Sequence, residues 1–245
     1  MLRLWTSRAL GHGGVLWEAA IILAATAGET LGSRLTTSAR VLEIGAGIGL
    51  PGIVVASQYP TATVVLTDVP KLLPLLEYNA ALSGLQNVIV ASLPFGSSLR
   101  KLPLLARPPF DVVLASDVLG CGDAGNHYLL VKTLRDVFHQ NPHAALLMSY
   151  RPRALFEEAF FNAAMEEGWC VATVREVTAD AARQLREAAL SVEWRHGSAG
   201  QLDDVVESVG GGADDSPTPA SVFVLLITAG TATTHSNGSV QPAPQ

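Results

Sequence analysis

The segment Val41-Leu42-Glu43-Ile44-Gly45-Ala46-Gly47-Ile48-Gly49-Leu50-Pro51-Gly52-Ile53 decides the fold expected for this chain. It begins as a short apolar strand, turns at three glycines in every second position, and continues into a helix. Glycine allows a tight turn and lets a ligand approach the backbone, and the first N–H groups of a helix have no partner within it. The segment therefore predicts a strand–loop–helix unit that binds a nucleotide-like ligand.

Strands and helices alternate along the chain on both sides of this unit. Apolar and β-branched runs predict strands at 40–44, 62–67, 88–92, 110–116, 144–149, 171–177 and 222–227. Helical spacing predicts helices at 15–27, 50–58, 72–83, 128–138 and 155–167. This alternation predicts an α/β fold with a doubly wound, mostly parallel, seven-stranded Rossmann-like sheet. No simple crossover helix is expected between the last two strands, which predicts antiparallel pairing at that edge.

The length of 245 residues fits a single domain, which we place at 1–229. Within it, residues 197–219 are rich in Gly, Asp and Ser and are predicted to be a flexible insertion. Residues 230–245 are small and polar with little to bury, and we expect a disordered tail.

Composition excludes several classes of function. The net charge of −6 makes a nucleic-acid partner unexpected. The two cysteines, Cys121 and Cys170, form no disulfide framework, which favours a reducing compartment: the cytoplasm, with the nucleus as the alternative. The histidines show no metal-ligand spacing, so no metal is expected. The apolar run 15–27 is interrupted by Glu18 and is too short to span a membrane.

Two acidic residues narrow the choice of cofactor. Glu43 lies two residues before the first glycine, where a negative charge disfavours a pyrophosphate and tolerates the sulfonium and ammonium of S-adenosylmethionine. Asp68 ends the next strand, where a carboxylate can accept hydrogen bonds from both ribose hydroxyls. The pattern therefore favours an S-adenosylmethionine-dependent methyltransferase over a dehydrogenase. The alternative is that the glycines serve only as turn residues and Asp68 only caps a loop.

Seven segments carry a resemblance to a known family: GVLWEAA at 14–20, EIGAGIG at 43–49, TD at 67–68, LEYN at 76–79, LPFG at 93–96, FDVVLASD at 110–117 and SYRPR at 149–153. Together they make the chain resemble the seven-strand protein-lysine methyltransferases of the methyltransferase-like group, over roughly residues 11–177. The resemblance implies a cofactor site formed by Trp17, Glu43, Gly45, Ala46, Gly47, Gly49, Asp68, Phe95 and Ser116. In it Trp17 borders the cofactor, 45–47 lies under its methionine part, and Phe95 flanks the adenine where the family usually has Trp. Without the resemblance, Trp17 and Phe95 are equally explained as core side chains.

The end of the fourth strand supplies the candidate catalytic residue. Ligands bind beyond the carboxyl ends of strands in open α/β sheets, so we expect Asp117 to orient an incoming amine and stabilise its charge; the alternative is a cap for the following turn. The family usually carries Asp-x-x-Tyr here, whereas this chain has Asp117-Val118-Leu119-Gly120. An aromatic wall is therefore missing, unless Tyr128 or Tyr150 fills the gap. Only residues 1–13 precede the Gly-x-x-Trp segment, where the family usually has a longer strand pair. This predicts either a smaller substrate-facing surface or a misplaced start codon.

The function predicted from these residues and from the resemblance is methyl transfer to a lysine side chain of a protein. Two alternatives remain open. Gly120 favours a cofactor-binding protein with vestigial catalysis that acts through protein contacts. The fold is also compatible with a methyltransferase of small molecules.

Overall fold

The computed structural model describes residues 4–101, 109–120, 124–153, 157–190 and 221–230. The predicted insertion at 197–219 lies outside the described residues, as do Cys121 and the predicted tail beyond residue 230.

Seven strands form one sheet in the order β3-β2-β1-β4-β5-β7-β6. Their bounds are β1 Arg40–Ile44, β2 Thr63–Asp68, β3 Val88–Ser92, β4 Val112–Ser116, β5 Ala145–Tyr150, β6 Trp169–Val177 and β7 Val222–Ala229. Strands β1 to β5 pair in parallel, and β7 is antiparallel to both β5 and β6. The predicted doubly wound sheet and its antiparallel pair near one edge are confirmed. The antiparallel strand is β7, second from the edge, with β6 outside it.

Helices cover both faces of the sheet. Their bounds are α1 Glu18–Leu31, α2 Leu50–Gln58, α3 Leu73–Ser83, α4 Ala124–Gln140, α5 Glu157–Glu166 and α6 Ala179–Leu190. Side chains from α1, α2, α3 and α6 join one buried apolar cluster, and side chains from α4 and α5 join the other. Two covered faces explain why the central strands are almost continuously apolar.

Helix α6 was not predicted from the sequence, although its local signals are present. The Ala181 N–H donates to the Thr178 hydroxyl at 3.4 Å, as at a capped helix start. Ala182 is fully buried in the cluster that includes α1. The helix connects two strands that run antiparallel to each other, so it does not form a parallel crossover.

The parallel register brings the ends of four strands, β1, β2, β4 and β5, to the same edge of the sheet. Ile44 in β1 pairs with Thr67 in β2, and Ser116 in β4 pairs with Ser149 in β5. Strand order reverses between β1 and β4, so the loops after these strands diverge to opposite faces and leave a crevice.

A buried amide fixes the front of this crevice. Asn79 on α3 has no exposed surface; its Oδ1 accepts from the Trp5 N–H at 2.6 Å. Its Nδ2 donates to the Trp5 carbonyl at 3.0 Å and to the Ile48 carbonyl at 2.9 Å. One side chain therefore ties both the N-terminal segment and the glycine loop to α3.

Replacing Asn79 with alanine is expected to lower the free energy of unfolding by about 2–4 kcal/mol, because buried backbone groups of Trp5 and Ile48 lose their partners. Urea denaturation followed by circular dichroism measures the change. Glu77→Ala, at an exposed position of the same helix, is the control and should stay within about 0.5 kcal/mol of the parent. Equal losses in the two variants would contradict the anchoring role of Asn79.

Candidate functional site

A cavity of about 550 Å³ opens in the crevice beyond β1, β2 and β4. Its wall contains most of the residues predicted for the site, namely Trp17, Gly45, Ala46, Gly47, Asp68, Phe95, Ser116 and Asp117. These residues come from five separate stretches of sequence, and the sheet brings them to one surface. The structure therefore gathers the predicted residues into one site, with the exception of Glu43 and Gly49.

The floor of the cavity is the glycine loop between β1 and α2. Gly45 and Gly47 have positive φ angles of 63° and 55°. A Cβ on Gly47 would lie 2.7 Å from the Gly13 carbonyl oxygen, and a Cβ on Gly45 would lie 2.9 Å from the Val118 side chain. Larger residues are excluded at both positions by backbone conformation and by close neighbours.

Asp68 holds this loop against the end of β2. One carboxylate oxygen, Oδ2, accepts from the Gly47 N–H at 2.7 Å, and Oδ1 accepts from the Val69 N–H at 2.7 Å. Burial raises the pKa of Asp68, and the two N–H donors and nearby Lys71 oppose that shift. Each carboxylate oxygen can accept more than one hydrogen bond. Asp68 therefore anchors the loop and keeps acceptor capacity directed at the cavity.

The structure corrects the charge argument made from Glu43. This side chain is fully buried behind the loop, and Oε2 accepts from the Gly52 N–H at 2.8 Å. Its other oxygen, Oε1, has no hydrogen-bond partner among the described residues. Burial, with a smaller contribution from the nearby Asp68 carboxylate, raises the pKa of Glu43 from 4.5 to about 8, and the Gly52 N–H opposes that shift. The neutral form of the carboxyl group is therefore favoured at pH 7, which removes the negative charge that was expected to disfavour a pyrophosphate.

Gly49 likewise lies behind the cavity wall. It precedes α2, and a Cβ there would meet the side chains of Leu76 and Leu66 at 2.8 and 3.1 Å. Glu43 and Gly49 therefore support the loop from behind, where α2 and α3 pack on the sheet.

Aromatic side chains border the cavity at two places. Trp17 is extended just before α1, and its Nε1 donates to the His12 carbonyl at 2.9 Å. The Phe95 ring lies beside the loop, since a Cβ on Gly45 would be 3.6 Å from its Cζ atom. The loop that carries Phe95 is held to α4 by the Gly96 N–H, which donates to the Thr133 hydroxyl at 2.8 Å. These rings provide apolar surface on which a flat base can stack.

Asp117 lies at the end of the cavity beyond β4. It is only 7% exposed and has a positive φ of 56°, which is uncommon for a residue with a side chain. Its N–H donates to the Ser149 carbonyl at 2.7 Å, and its carbonyl accepts from the Gly120 N–H at 3.2 Å. Two nitrogens of the Arg153 guanidinium donate to its two carboxylate oxygens, each at 2.7 Å.

The expected gap at Gly120 is filled by this arginine. A Cβ on Gly120 would lie 2.6 Å from the Arg153 Nη1 atom. Neither tyrosine considered from the sequence takes that position. The Tyr150 ring packs 5.7 Å from Phe161, and Tyr128 is 55% exposed on α4.

Sequence reasoning missed several residues of the site. Arg153 belongs to the SYRPR segment, but no role was assigned to it. His12, Gly13, Lys71 and Asn126 also line the cavity. Arg153 is far from Asp117 in sequence and reaches it only because β4 and β5 are adjacent, so spacing gave no signal. Their position directly before the family segment at 14–20 was the available signal for His12 and Gly13.

Neither a membrane-spanning helix nor a metal-ligand cluster is present in the described part of the chain. Its helices include none long and apolar enough to cross a membrane. Its His, Cys, Asp and Glu side chains form no group of three or more that could hold a metal ion.

Residues 1–167 match the model of a protein family described as lysine methyltransferase. The chain belongs to this family. It is similar to the human histone-arginine methyltransferase METTL23, with 31% identity over 142 residues that cover 57% of this chain and 70% of the relative. It is also similar to the protein-lysine N-methyltransferase EFM6 of Saccharomyces cerevisiae, with 30% identity over 171 residues that cover 62% and 69%.

Solved structures agree on the fold of this methyltransferase. TrmN from Thermus thermophilus aligns with a TM-score of 0.53 at 17% identity, covering 91% of this chain and 53% of that one. A putative O-methyltransferase from Klebsiella pneumoniae aligns with a TM-score of 0.51 at 13% identity, covering 91% and 84%. The family and the fold together establish the chain as a methyltransferase.

The buried Glu43 carboxyl predicts a pH-dependent stability. Its pKa is higher in the folded chain, at about 8, than its ordinary value of 4.5. The folded state therefore binds more protons between these values, so the stabilisation is complete below pH 4.5 and is lost as the pH rises through 8.

Thermal melts across this range should show a Tm that falls as the pH rises, and Glu43→Gln should flatten that dependence. Glutamine keeps an oxygen for the Gly52 N–H and has no proton to lose. Glu77→Gln, at an exposed position, serves as the control and should leave the parent profile unchanged. A Glu43→Gln profile parallel to that of the parent would show that Glu43 does not titrate in this range.

Proposed function

We propose that this methyltransferase uses S-adenosylmethionine to methylate a nitrogen of a protein side chain, with lysine as the expected acceptor. The single observation that supports it most is the cavity beyond β1, β2 and β4, which joins a loop held by Asp68 to a second carboxylate, Asp117. We also propose a reducing compartment, cytoplasm or nucleus, because the chain has only two cysteines and Cys170 is an exposed free thiol.

The residues present fit S-adenosylmethionine. Asp68 offers carboxylate oxygens suited to ribose hydroxyls, and Phe95 offers a face suited to a base. The glycine loop exposes backbone where a Cβ would meet neighbouring atoms, so the main chain itself forms the surface beneath a ligand. When bound, the cofactor supplies an activated methyl group on a sulfonium.

The comparisons favour a protein acceptor. The descriptions of the family and of EFM6 name lysine as the methylated residue, and the description of METTL23 names arginine in a histone. Both residues present a nitrogen that is protonated at neutral pH, so the shared requirement is a site that receives a cation.

The protein's own part in the reaction is to hold the acceptor. A lysine ammonium has no lone pair, so it must lose a proton before the nitrogen attacks. That proton would leave to solvent, and the freed nitrogen would then take the methyl group that the bound cofactor supplies. Asp117 attracts the cation to the end of the cavity and stabilises the positive charge that returns on nitrogen.

The cofactor assignment predicts binding of S-adenosylmethionine and adenosylhomocysteine, and no binding of NAD. Asp68→Asn should weaken binding of S-adenosylmethionine by about 1–3 kcal/mol, because an acceptor for the ribose hydroxyls is lost. Asparagine is preferred to alanine because its oxygen can still accept from one of the two backbone N–H groups.

Isothermal titration calorimetry with the three ligands measures this effect. The matched control is Asp111→Asn, since Asp111 accepts from the Arg40 N–H at the opposite edge of the sheet. Equal affinities of parent and Asp68→Asn would remove the ribose role, and binding of NAD alone would overturn the proposed cofactor.

The catalytic assignment predicts a different outcome for Asp117→Asn. Cofactor affinity should stay within about threefold of the parent, whereas methyl transfer should fall by at least about tenfold, because the lost charge acts mainly in the transition state. Asparagine tolerates positive φ, so the backbone turn is retained.

Transfer of labelled methyl groups to a protein extract, with mass spectrometry of the labelled residues, measures the rate and the acceptor. Asp111→Asn again controls for loss of a partly buried carboxylate outside the cavity. Equal rates for parent and Asp117→Asn would remove the catalytic role. Tight cofactor binding without transfer to any protein would favour vestigial catalysis.

A further inference from the structure

Asp117, the carboxylate proposed to bind the methyl acceptor, already forms an ion pair with Arg153 of the same chain. The Arg153 guanidinium donates to Oδ1 and Oδ2 of Asp117 in a two-bond fork, with both distances at 2.7 Å. Its central carbon lies 5.6 Å from the centre of the Trp17 ring. A carboxylate fork beside an aromatic ring is the arrangement that recognises a cationic side chain.

Gly120 provides the room for this contact. A side chain there would begin 2.6 Å from Arg153 Nη1, so even alanine would require the guanidinium to move. Any side chain larger than glycine at position 120 and this position of the Arg153 guanidinium therefore exclude each other.

The side chains of Asp117 and Arg153 differ in how far they can move. The Asp117 side chain is 7% exposed, and its backbone is fixed by hydrogen bonds to Ser149 and Gly120. The Arg153 side chain is 27% exposed and has several rotatable bonds, while its backbone N–H donates to the Glu157 carboxylate at 2.9 Å. The arginine side chain is thus the partner that can leave for solvent, with its backbone still held in place.

We propose that Arg153 occupies the acceptor subsite in the absence of substrate, and that the cationic side chain of the acceptor must displace it from Asp117. This inference rests on the proposed function. An acceptor binds in proportion to the fraction of molecules in which Asp117 has been released, so Arg153 raises the acceptor KM. Arg153 accordingly controls the access of the methyl acceptor to Asp117.

The geometry also ranks the acceptors. A guanidinium can replace both bonds of the fork at once, whereas an ammonium is a compact charge that does not match the fork. These contacts set the affinity for the released Asp117, so the arginine acceptor has the lower KM. The competition by Arg153 is the same for both acceptors, and its removal should lower the KM for lysine and arginine peptides by the same factor.

The test uses two peptide pools, each with one central lysine or one central arginine and no other basic residue. Arg153→Ala should lower the KM for the lysine pool by about fivefold or more, with kcat within about twofold, because only the competition for Asp117 is removed. The KM for the arginine pool should fall by a similar factor. Arg153→Lys, which keeps the charge and loses the fork, should give intermediate values.

Arg151→Ala is the matched control. It removes the same charge at a position two residues before Arg153, where the arginine pairs with Glu18 instead of Asp117. It should leave both KM values unchanged. Thermal melts check folding, since Arg153→Ala leaves a buried carboxylate without its fork. If that variant does not fold, the lysine-pool KM of Arg153→Lys decides: a lower value supports the proposal and an unchanged value overturns it.

Three results would overturn the proposal: an unchanged lysine-pool KM in Arg153→Ala, a reduced kcat with unchanged KM, or no methylation of either pool by parent and variant alike. The second result would mean that Arg153 only supports Asp117. Calorimetry with S-adenosylmethionine distinguishes failure of the proposed function from failure of the Arg153 proposal. Absence of binding defeats the proposed function, whereas binding with unchanged KM defeats this inference alone.

Discussion

The hydrogen bond from the Gly47 N–H to the Asp68 carboxylate joins the two strand ends on which the cavity depends. It spans adjacent parallel strands, so it forms only when β1 and β2 are in register. The same carboxylate faces the cavity, which means that the group that shapes the loop is also available to a ligand. Parallel pairing, loop conformation and binding chemistry are thereby coupled through one side chain.

Glu43 and Asp68 show how position changes the chemistry of a carboxyl group. Each lies at the carboxyl end of a central strand and accepts from a backbone N–H. Glu43 faces α2 and has no exposure, which favours its neutral form. Asp68 faces the cavity and retains a second N–H donor and a nearby lysine. The first is a structural residue, and the second can interact with a ligand.

The acceptor end of the cavity carries this chain's own variation on the family. The strand end that presents Asp117 matches the family pattern, whereas the following turn has Gly120 where that pattern has tyrosine. An arginine from the loop after β5 occupies the space beside Gly120. In the proposed displacement of Arg153, this wall of the cavity determines what a substrate must displace, while the glycine loop and Asp68 keep their own contacts.

Local sequence determined the strands β1 to β5, the glycine loop and the position of Asp68, because each depends on hydrophobic periodicity or on the backbone freedom of glycine. It also placed Asp117 at a strand end. Tertiary structure alone decided which way Glu43 faces, that Asn79 joins two distant segments, and that Arg153 reaches Asp117. Such contacts join residues 31 and 36 positions apart. Spacing along a chain carries no record of them, since they follow from which strands become neighbours and which face each side chain takes.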